Sequence, residues 1–175
     1  VPRLEDGELA RRARALTWLL LDVDGVLTDG RLYYTASGEE MKAFHVRDGL
    51  GIARARRAGL RVGILSGRRS AALARRADDL ALDAVIQGRD DKGPAFEEFL
   101  AAHDTAAGRV AYVGDDLQDL PVLERCGLAF APADAADEVR RRVHRVLAAS
   151  GGGGAVREVV DLLLAARGDA ARDAP

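Results

Sequence analysis

Short apolar runs alternate with stretches of helical periodicity along most of this chain. Residues 6–15 place apolar positions at helical spacing and predict an amphipathic helix. Residues 18–23 are apolar on both faces up to their first acid, as a buried central parallel strand should be. Residues 32–35 and 41–46 flank Ala36-Ser37-Gly38-Glu39 and predict a hairpin. A helix over 50–58 closes on Gly59, a natural C-cap, and a strand follows at 62–65. The pattern then predicts a helix over 70–79, a short strand at 84–86, and a helix running to 103 with Pro94 in its first turn. Strands at 110–113 and 128–131 bracket a short helix over 119–125 that ends at Gly127. Strand 128–131 is predicted to be the last, followed by a helix over 135–148, the run Gly151–Gly154 and a helix over 156–166. Residues 168–175 read as a frayed end. This alternation predicts an α/β fold with a doubly wound, mostly parallel, Rossmann-like sheet. Residues 1–167 are expected to form one domain, the glycine run included, with no internal repeat and no linker.

Four of the predicted strands end in, or lead into, polar groups. The first ends at Asp22-Val23-Asp24-Gly25, two carboxylates at the end of a buried run. Acids are rarely buried without a partner, so this pair implies a cation, a shared proton or chemistry. Ser66-Gly67-Arg68 follows the second central strand, Asp90-Asp91-Lys92 precedes a helix, and Gly114-Asp115-Asp116 with Asp119 follows the strand at 110–113. In a parallel sheet these ends converge on one edge, where ligands bind. The grouping suits phosphate chemistry. A carboxylate attacking a phosphate monoester meets another anion, and two unit charges about 4 Å apart repel by about 4 kcal/mol at an effective dielectric near 20. A divalent cation and a lysine offset that repulsion. Asp22, Asp24 and Asp115 offer only oxygen, which suits Mg²⁺ rather than zinc. Taken singly, each element also has a plain reading: turn caps for the acids, a surface lysine for Lys92.

Composition narrows the function classes. The 175 residues are 48% hydrophobic and 31% charged, with a formal net charge of −2, so neither disorder nor a global basic field for nucleic acid is indicated. Apolar runs are too short for a membrane span. No basic-then-apolar leader precedes the first strand, and the single cysteine, Cys126, sits in an apolar helical pattern as core filler. A reducing, cytoplasmic setting is expected.

The motifs resemble those of the haloacid dehalogenase (HAD) phosphatase superfamily over about residues 16–167. Asp22-Val23-Asp24-Gly25-Val26-Leu27-Thr28 looks like its first motif, Ser66 its second, Lys92 its third, and Gly114-Asp115-Asp116 with Asp119 its fourth. The resemblance implies that Asp22 is a nucleophile forming an aspartyl-phosphate, and that Asp24 serves as acid, then base. It implies that Asp22, Asp115 and the Asp24 backbone carbonyl hold Mg²⁺, with Asp116 and Asp119 supporting them, and that Ser66 and Lys92 hold phosphoryl oxygens. A closer resemblance is to the 3-deoxy-D-manno-octulosonate (KDO) 8-phosphate phosphatases of lipopolysaccharide biosynthesis. It rests on Leu27-Thr28-Asp29-Gly30, on Phe44-His45-Val46-Arg47-Asp48-Gly49-Leu50-Gly51-Ile52, and on Gly151-Gly152-Gly153-Gly154-Ala155-Val156-Arg157-Glu158. It implies substrate contacts from His45, Val46, Arg47, Asp48, Gly49, Gly67, Arg68, Arg76 and Arg157, beside Asp24, Ser66 and Lys92. The family often has lysine where this chain has Gly153, and arginine where it has Ala53.

Spacing adds an independent point. Between Asp22 and Ser66 there is room for a hairpin and one helix, and between Lys92 and Asp115 for one helix and one strand. Neither interval holds a separate lid domain, so a capless form with a hairpin flap after the first strand is expected. A neighbouring subunit could then close the site, using the hairpin and a mobile Gly151–Gly154 tail. The resemblance implies a homotetramer of this kind, acting on a small sugar phosphate. His103 and His144 are predicted on helices as structural or solvated residues, and Arg140-Arg141-Arg142 as a solvated helix face. Competing readings are a phosphatase for a nine-carbon keto-acid 9-phosphate, a phospho-acceptor signalling domain, and a non-catalytic binding subunit. A residue matching Arg68 is often Glu in the nine-carbon branch, and a signalling receiver carries its acceptor Asp after the third strand.

Overall fold

Trp18, Leu19, Leu20 and Leu21 are each fully buried, because the strand they form, β1 (Trp18–Leu21), lies inside a sheet covered on both faces. The computed structural model describes residues 4–38 and 40–168. Around β1 the chain builds α1 (Asp6–Ala15), a ribbon of β2 (Tyr33–Tyr34) and β3 (Glu40–Met41), α2 (Val46–Arg57), β4 (Arg61–Ser66), α3 (Ala71–Asp79) and β5 (Ala84–Gln87). It continues with α4 (Lys92–Ala102), β6 (Val110–Val113), α5 (Leu120–Leu123), β7 (Leu128–Ala131), α6 (Asp137–Arg141), β8 (Arg145–Val146) and α7 (Ala155–Arg167).

The main sheet has the order β5-β4-β1-β6-β7-β8, all parallel. The chain winds outward from β1 through β4 to β5, then returns to the other side of β1 and continues to β8. The direction of winding reverses at β1, which opens a crevice at the carboxyl ends of β1, β4 and β6. Successive β1 side chains point to opposite faces. Leu19 and Leu21 join one apolar cluster with Ile52 of α2, Leu73 of α3 and Val156, Val160 and Leu163 of α7. Trp18 and Leu20 join the other with Phe96 and Phe99 of α4, Val122 of α5 and Val139 of α6. Trp18 packs edge-on against Phe99, with ring centroids 4.9 Å apart.

The α/β, mostly parallel reading of the sequence is borne out, and among the described residues no separate lid domain stands in either interval between the motifs. Several local expectations are corrected. The strand expected over 41–46 pairs only through Met41, and Val46 already opens α2. His45 is the reason: its ring accepts from Arg47 N–H and caps the helix. The helix expected over 119–125 is a 3₁₀ turn at Leu117–Asp119 followed by the short α5. The helix expected over 135–148 stops at Arg141. Beyond it, His144 N–H donates to Ala129 and Leu147 N–H to Ala131, so β8 forms on the edge of β7. Val139 and Val143 lie four apart and imitate a helix face, but both are buried by the sheet. His144 is therefore a buried strand-edge residue whose Nδ1 accepts from Ala129 N–H. Desolvation pushes its pKa down to about 4.

The glycine run is built into the fold rather than left mobile. Gly152 donates to the Val26 carbonyl, and Gly151 to Asp134. A Cβ at Gly151 would lie 1.8 Å from the Gly25 carbonyl oxygen, so only glycine lets these two backbones touch. The frayed end expected over 168–175 reaches the described residues only at Gly168, the left-handed C-cap of α7; residues 169–175 lie outside them. Glu39 of the predicted hairpin turn lies outside them as well.

Candidate active site

A cavity of about 410 Å³ opens at the carboxyl edge of the sheet. Asp22 follows β1 directly, its N–H donating to the Val113 carbonyl at the end of β6, which places it between the two central strands. The chain then turns at Gly25, whose φ is +84°. That turn brings Asp24 to the cavity rim and clears space for Asp115, whose carboxylate would lie 2.0 Å from a Cβ at Gly25. Ser66 ends β4, almost wholly buried, and Gly67 and Arg68 continue the wall. Lys92 opens α4 behind the Asp91 cap.

Lys92 is the hub. Its side chain is 2% exposed, and its Nζ lies 2.7 Å from both Asp22 Oδ1 and Asp119 Oδ1. Burial alone would depress its pKa, but the two carboxylates outweigh burial and raise it. Asp119 reaches this position because Gly114 has no side chain: a Cβ there would meet the Asp119 Cγ at 2.4 Å. Asp119 Oδ2 accepts from the N–H groups of Asp115 and Asp116, and Oδ1 accepts from Tyr112 O–H at 2.6 Å. Asp116 in turn caps the 3₁₀ turn through Leu117 N–H.

Asp22, Asp115 and Asp119 can bring one oxygen each to within 4.8 Å of one another. Asp22 and Asp119 thus share one ammonium with Asp115 close beside them, and burial together with this crowding raises the pKa of Asp22 and of Asp115. Burial, then the Asp119 charge, pushes Asp22 up to about 7 against the pull of Lys92. Burial, then the charges of Asp22 and Asp119, pushes Asp115 up to about 8. Two crowded acids held above the usual carboxylate range in an all-oxygen cluster fit a hard divalent cation. Both Asp119 oxygens already accept hydrogen bonds, so Asp22 and Asp115 are the acids of the trio best placed to hold it. Asp24 stands apart: it is ion-paired to Lys42, and its Oδ2 lies 3.8 Å from Arg68 Nε. Arg68 also reaches the Tyr34 hydroxyl of the ribbon at 3.3 Å.

Asp22, Asp24, Ser66, Gly67, Arg68, Lys92, Asp115, Asp116 and Asp119 all line the cavity. His45, Val46, Arg47, Asp48, Gly49, Arg76 and Arg157 do not. The segment from Val46 to Gly49, expected as a substrate loop, is the first turn of α2, and it packs against α7. Asp48 is buried, and its Oδ1 accepts from Arg157 N–H at 2.8 Å; burial raises its pKa against that bond. Arg157 Nε is held by Asp161 at 2.8 Å, and Arg47 and Arg157 line a separate hollow of about 480 Å³. Arg76 lies over Gly49 and 5.7 Å from the Phe44 ring centroid. Sequence reasoning missed Lys42, Tyr112 and Gln118, and named Asp90 and Gly30 within motifs without giving either a role. Tyr112 left a signal, since a hydroxyl in a fully buried strand needs a polar partner. Lys42 left none, because a lone lysine beside a hairpin reads as a surface residue.

Buried carboxylates, a buried lysine and a hydroxyl gathered at a parallel sheet's switch point suit a phosphoryl-transferring hydrolase. Comparison with known proteins agrees. No family model matches the chain. The Haemophilus influenzae KDO 8-phosphate phosphatase is 43% identical over 160 residues, 91% of this chain and 89% of that protein. The Yersinia pestis KDO 8-phosphate phosphatase structure superposes with a TM-score of 0.91 at 43% identity, covering 94% of this chain and 89% of that one. The Moraxella catarrhalis KDO 8-phosphate phosphatase, solved with magnesium, phosphate and KDO, superposes with a TM-score of 0.92 at 35% identity, covering 95% of each chain. The chain belongs to the KDO 8-phosphate phosphatase family of HAD hydrolases.

Proposed function

We propose that this protein hydrolyses KDO 8-phosphate to KDO and inorganic phosphate with Mg²⁺ as cofactor. The observation that carries the reading is the Lys92-centred cluster of Asp22, Asp115 and Asp119 with Asp24 beside it. Asp22 attacks phosphorus, its oxygen forming a bond as the bond to the sugar's alcohol oxygen breaks. Asp24 delivers a proton to that leaving oxygen, then takes one from the water that hydrolyses the aspartyl-phosphate. Ser66 O–H and the Lys92 ammonium hold phosphoryl oxygens, and Asp119 with Tyr112 fixes Lys92. Asp22, Asp115 and the Asp24 carbonyl would hold Mg²⁺, which neutralises charge on the transferring phosphoryl group. Lys92 is drawn away from bulk water, so its charge acts on the phosphoryl group with little screening.

The exposed ribbon and the start of α2, with Tyr34, Met41, Val46 and Leu50, are the surface through which we place a homotetramer that covers the site. Arg47 and Arg157 then serve a neighbour's substrate rather than their own. No helix among the described residues is long and apolar enough to cross a membrane, and Cys126 is a buried free thiol; we place the enzyme in the cytoplasm, in lipopolysaccharide biosynthesis. The test is Mg²⁺-dependent phosphate release, comparing kcat/KM on KDO 8-phosphate and on a nine-carbon keto-acid 9-phosphate. A higher value on the nine-carbon substrate overturns the substrate assignment. Accumulation of phospho-aspartate without phosphate release overturns the hydrolase.

A further inference from the structure

Lys42 is the most deeply buried cation of the ribbon segment. Its side chain is 1% exposed, and it forms an ion pair with Asp24 Oδ1. It sits directly after β3, and two residues later Phe44 packs against the core cluster that contains Leu21 and Val26. The lysine is thus fixed from both sides, by the ribbon before it and by the core after it. A buried ammonium is favoured beside a carboxylate, and Asp24 supplies one here. With Oδ1 held, Asp24 turns Oδ2 toward Arg68 at the cavity wall. Lys92 is engaged elsewhere, by Asp22, Asp119 and Tyr112. The two lysines therefore serve different carboxylates, one under the nucleophile and one behind the acid.

We propose that Lys42 is the positioning residue for Asp24: it holds one carboxylate oxygen so that the other meets the leaving-group oxygen of the substrate, and so makes proton delivery depend on the ribbon's position. The proposal rests on the acid role assigned to Asp24 above. The proton passes from Asp24 to the alcohol oxygen as the P–O bond breaks and the Asp22 O–P bond forms. Lys42 itself gives up no proton.

The experiment measures kcat and KM with Mg²⁺ for the wild type, Lys42→Met and Asp24→Asn. The substrates are phosphomonoesters whose leaving groups run from a primary alcohol to 4-nitrophenol, which departs without a proton. A positioned general acid contributes about 10²–10⁴-fold, so Lys42→Met is expected to lose about 10–100-fold in kcat/KM on the alkyl phosphate. On 4-nitrophenyl phosphate the loss in kcat/KM, which ends at formation of the aspartyl-phosphate and leaves out the water attack that Asp24 assists as base, is expected to be under about threefold. The ratio between substrates does not depend on how much of the variant folds, and Lys42→Gln supplies the same ratio should the methionine variant aggregate. Equal losses in kcat/KM on both substrates overturn the proposal. Asp24→Asn separates the two levels: if it shows no leaving-group dependence, the acid assignment fails; if it does and Lys42→Met does not, only the role of Lys42 fails.

Discussion

The cavity at the carboxyl ends of the strands and the seam between α2 and α7 make an instructive pair. Both are rich in charge and glycine, and both read as ligand-binding motifs in the sequence. In the cavity, Asp22, Asp115 and Asp119 crowd around one lysine, and the excess negative charge is left for something else to balance. In the seam, the charges are largely matched. Asp48 Oδ1 takes the Arg157 N–H while its buried Oδ2 has no hydrogen-bond partner among the described residues, Arg157 takes Asp161, and Gly51 lets the helices approach to 3.1 Å between an added Cβ and Arg157 Cα. Acids at the strand ends are poised for chemistry because they outnumber the lysine among them; the polar groups of the seam hold two helices together because most of them meet a partner on the facing helix.

Substitutions can sharpen that contrast. The largest effect is expected from Asp22→Asn, which removes the proposed nucleophile and should lower kcat by at least about 10⁴-fold while the fold survives. Circular dichroism beside a phosphate-release assay checks both halves, and residual turnover near the wild type would overturn the mechanism.

Next comes Gly151→Ala, which drives a methyl group into the Gly25 carbonyl. It is expected to cost about 1–3 kcal/mol or more of stability and to disturb Asp24 through the shared turn, so thermal unfolding and kcat should both fall. Asp48→Ala should cost about 1–3 kcal/mol by leaving the Arg157 N–H without its acceptor. Its kcat should stay within about threefold of the wild type; a far larger loss in kcat would move Asp48 from the seam into the site.

A further test is one of pH. Asp22 and Asp115 have folded pKa values of about 7 and about 8, above the ordinary carboxylate value of 3.8. A group raised on folding stabilises fully below its unfolded pKa, and that contribution is lost as pH rises through the folded value. The metal-free protein should therefore lose thermal stability between about pH 4 and pH 8, and added Mg²⁺ should restore more at pH 8 than at pH 5. A flat Tm across that range without metal would break the account of the cluster.

How much was legible follows from the range of the forces involved. Strands 110–113 and 128–131 were placed to the residue, because an apolar run bounded by polar turns is a local pattern. Ser66, Lys92 and the aspartates were legible for the same reason: each is anchored to the end of such a run. The region beyond Arg141 was not, because Val139 and Val143 satisfy a helical period as well as a strand edge, and only the free edge of β7 decides between them. Lys42 was invisible, since its meaning lies in Asp24, eighteen residues earlier.

By itself the sequence determined the order of the main-sheet strands and their helices as far as Arg141, the identity of the cluster's acids and its lysine, and the absence of room for a lid between the motifs. Those are short-range facts, written in hydrophobic period and in residues next to strand ends. Only the tertiary structure decided which charges stay unbalanced. It paired Asp48 with the α7 backbone, set Tyr112 and Asp119 beneath Lys92, closed the glycine run onto the first motif and placed Lys42 behind Asp24. A charge acquires its role from the partner it meets across the fold, and those partners lie far apart along the chain.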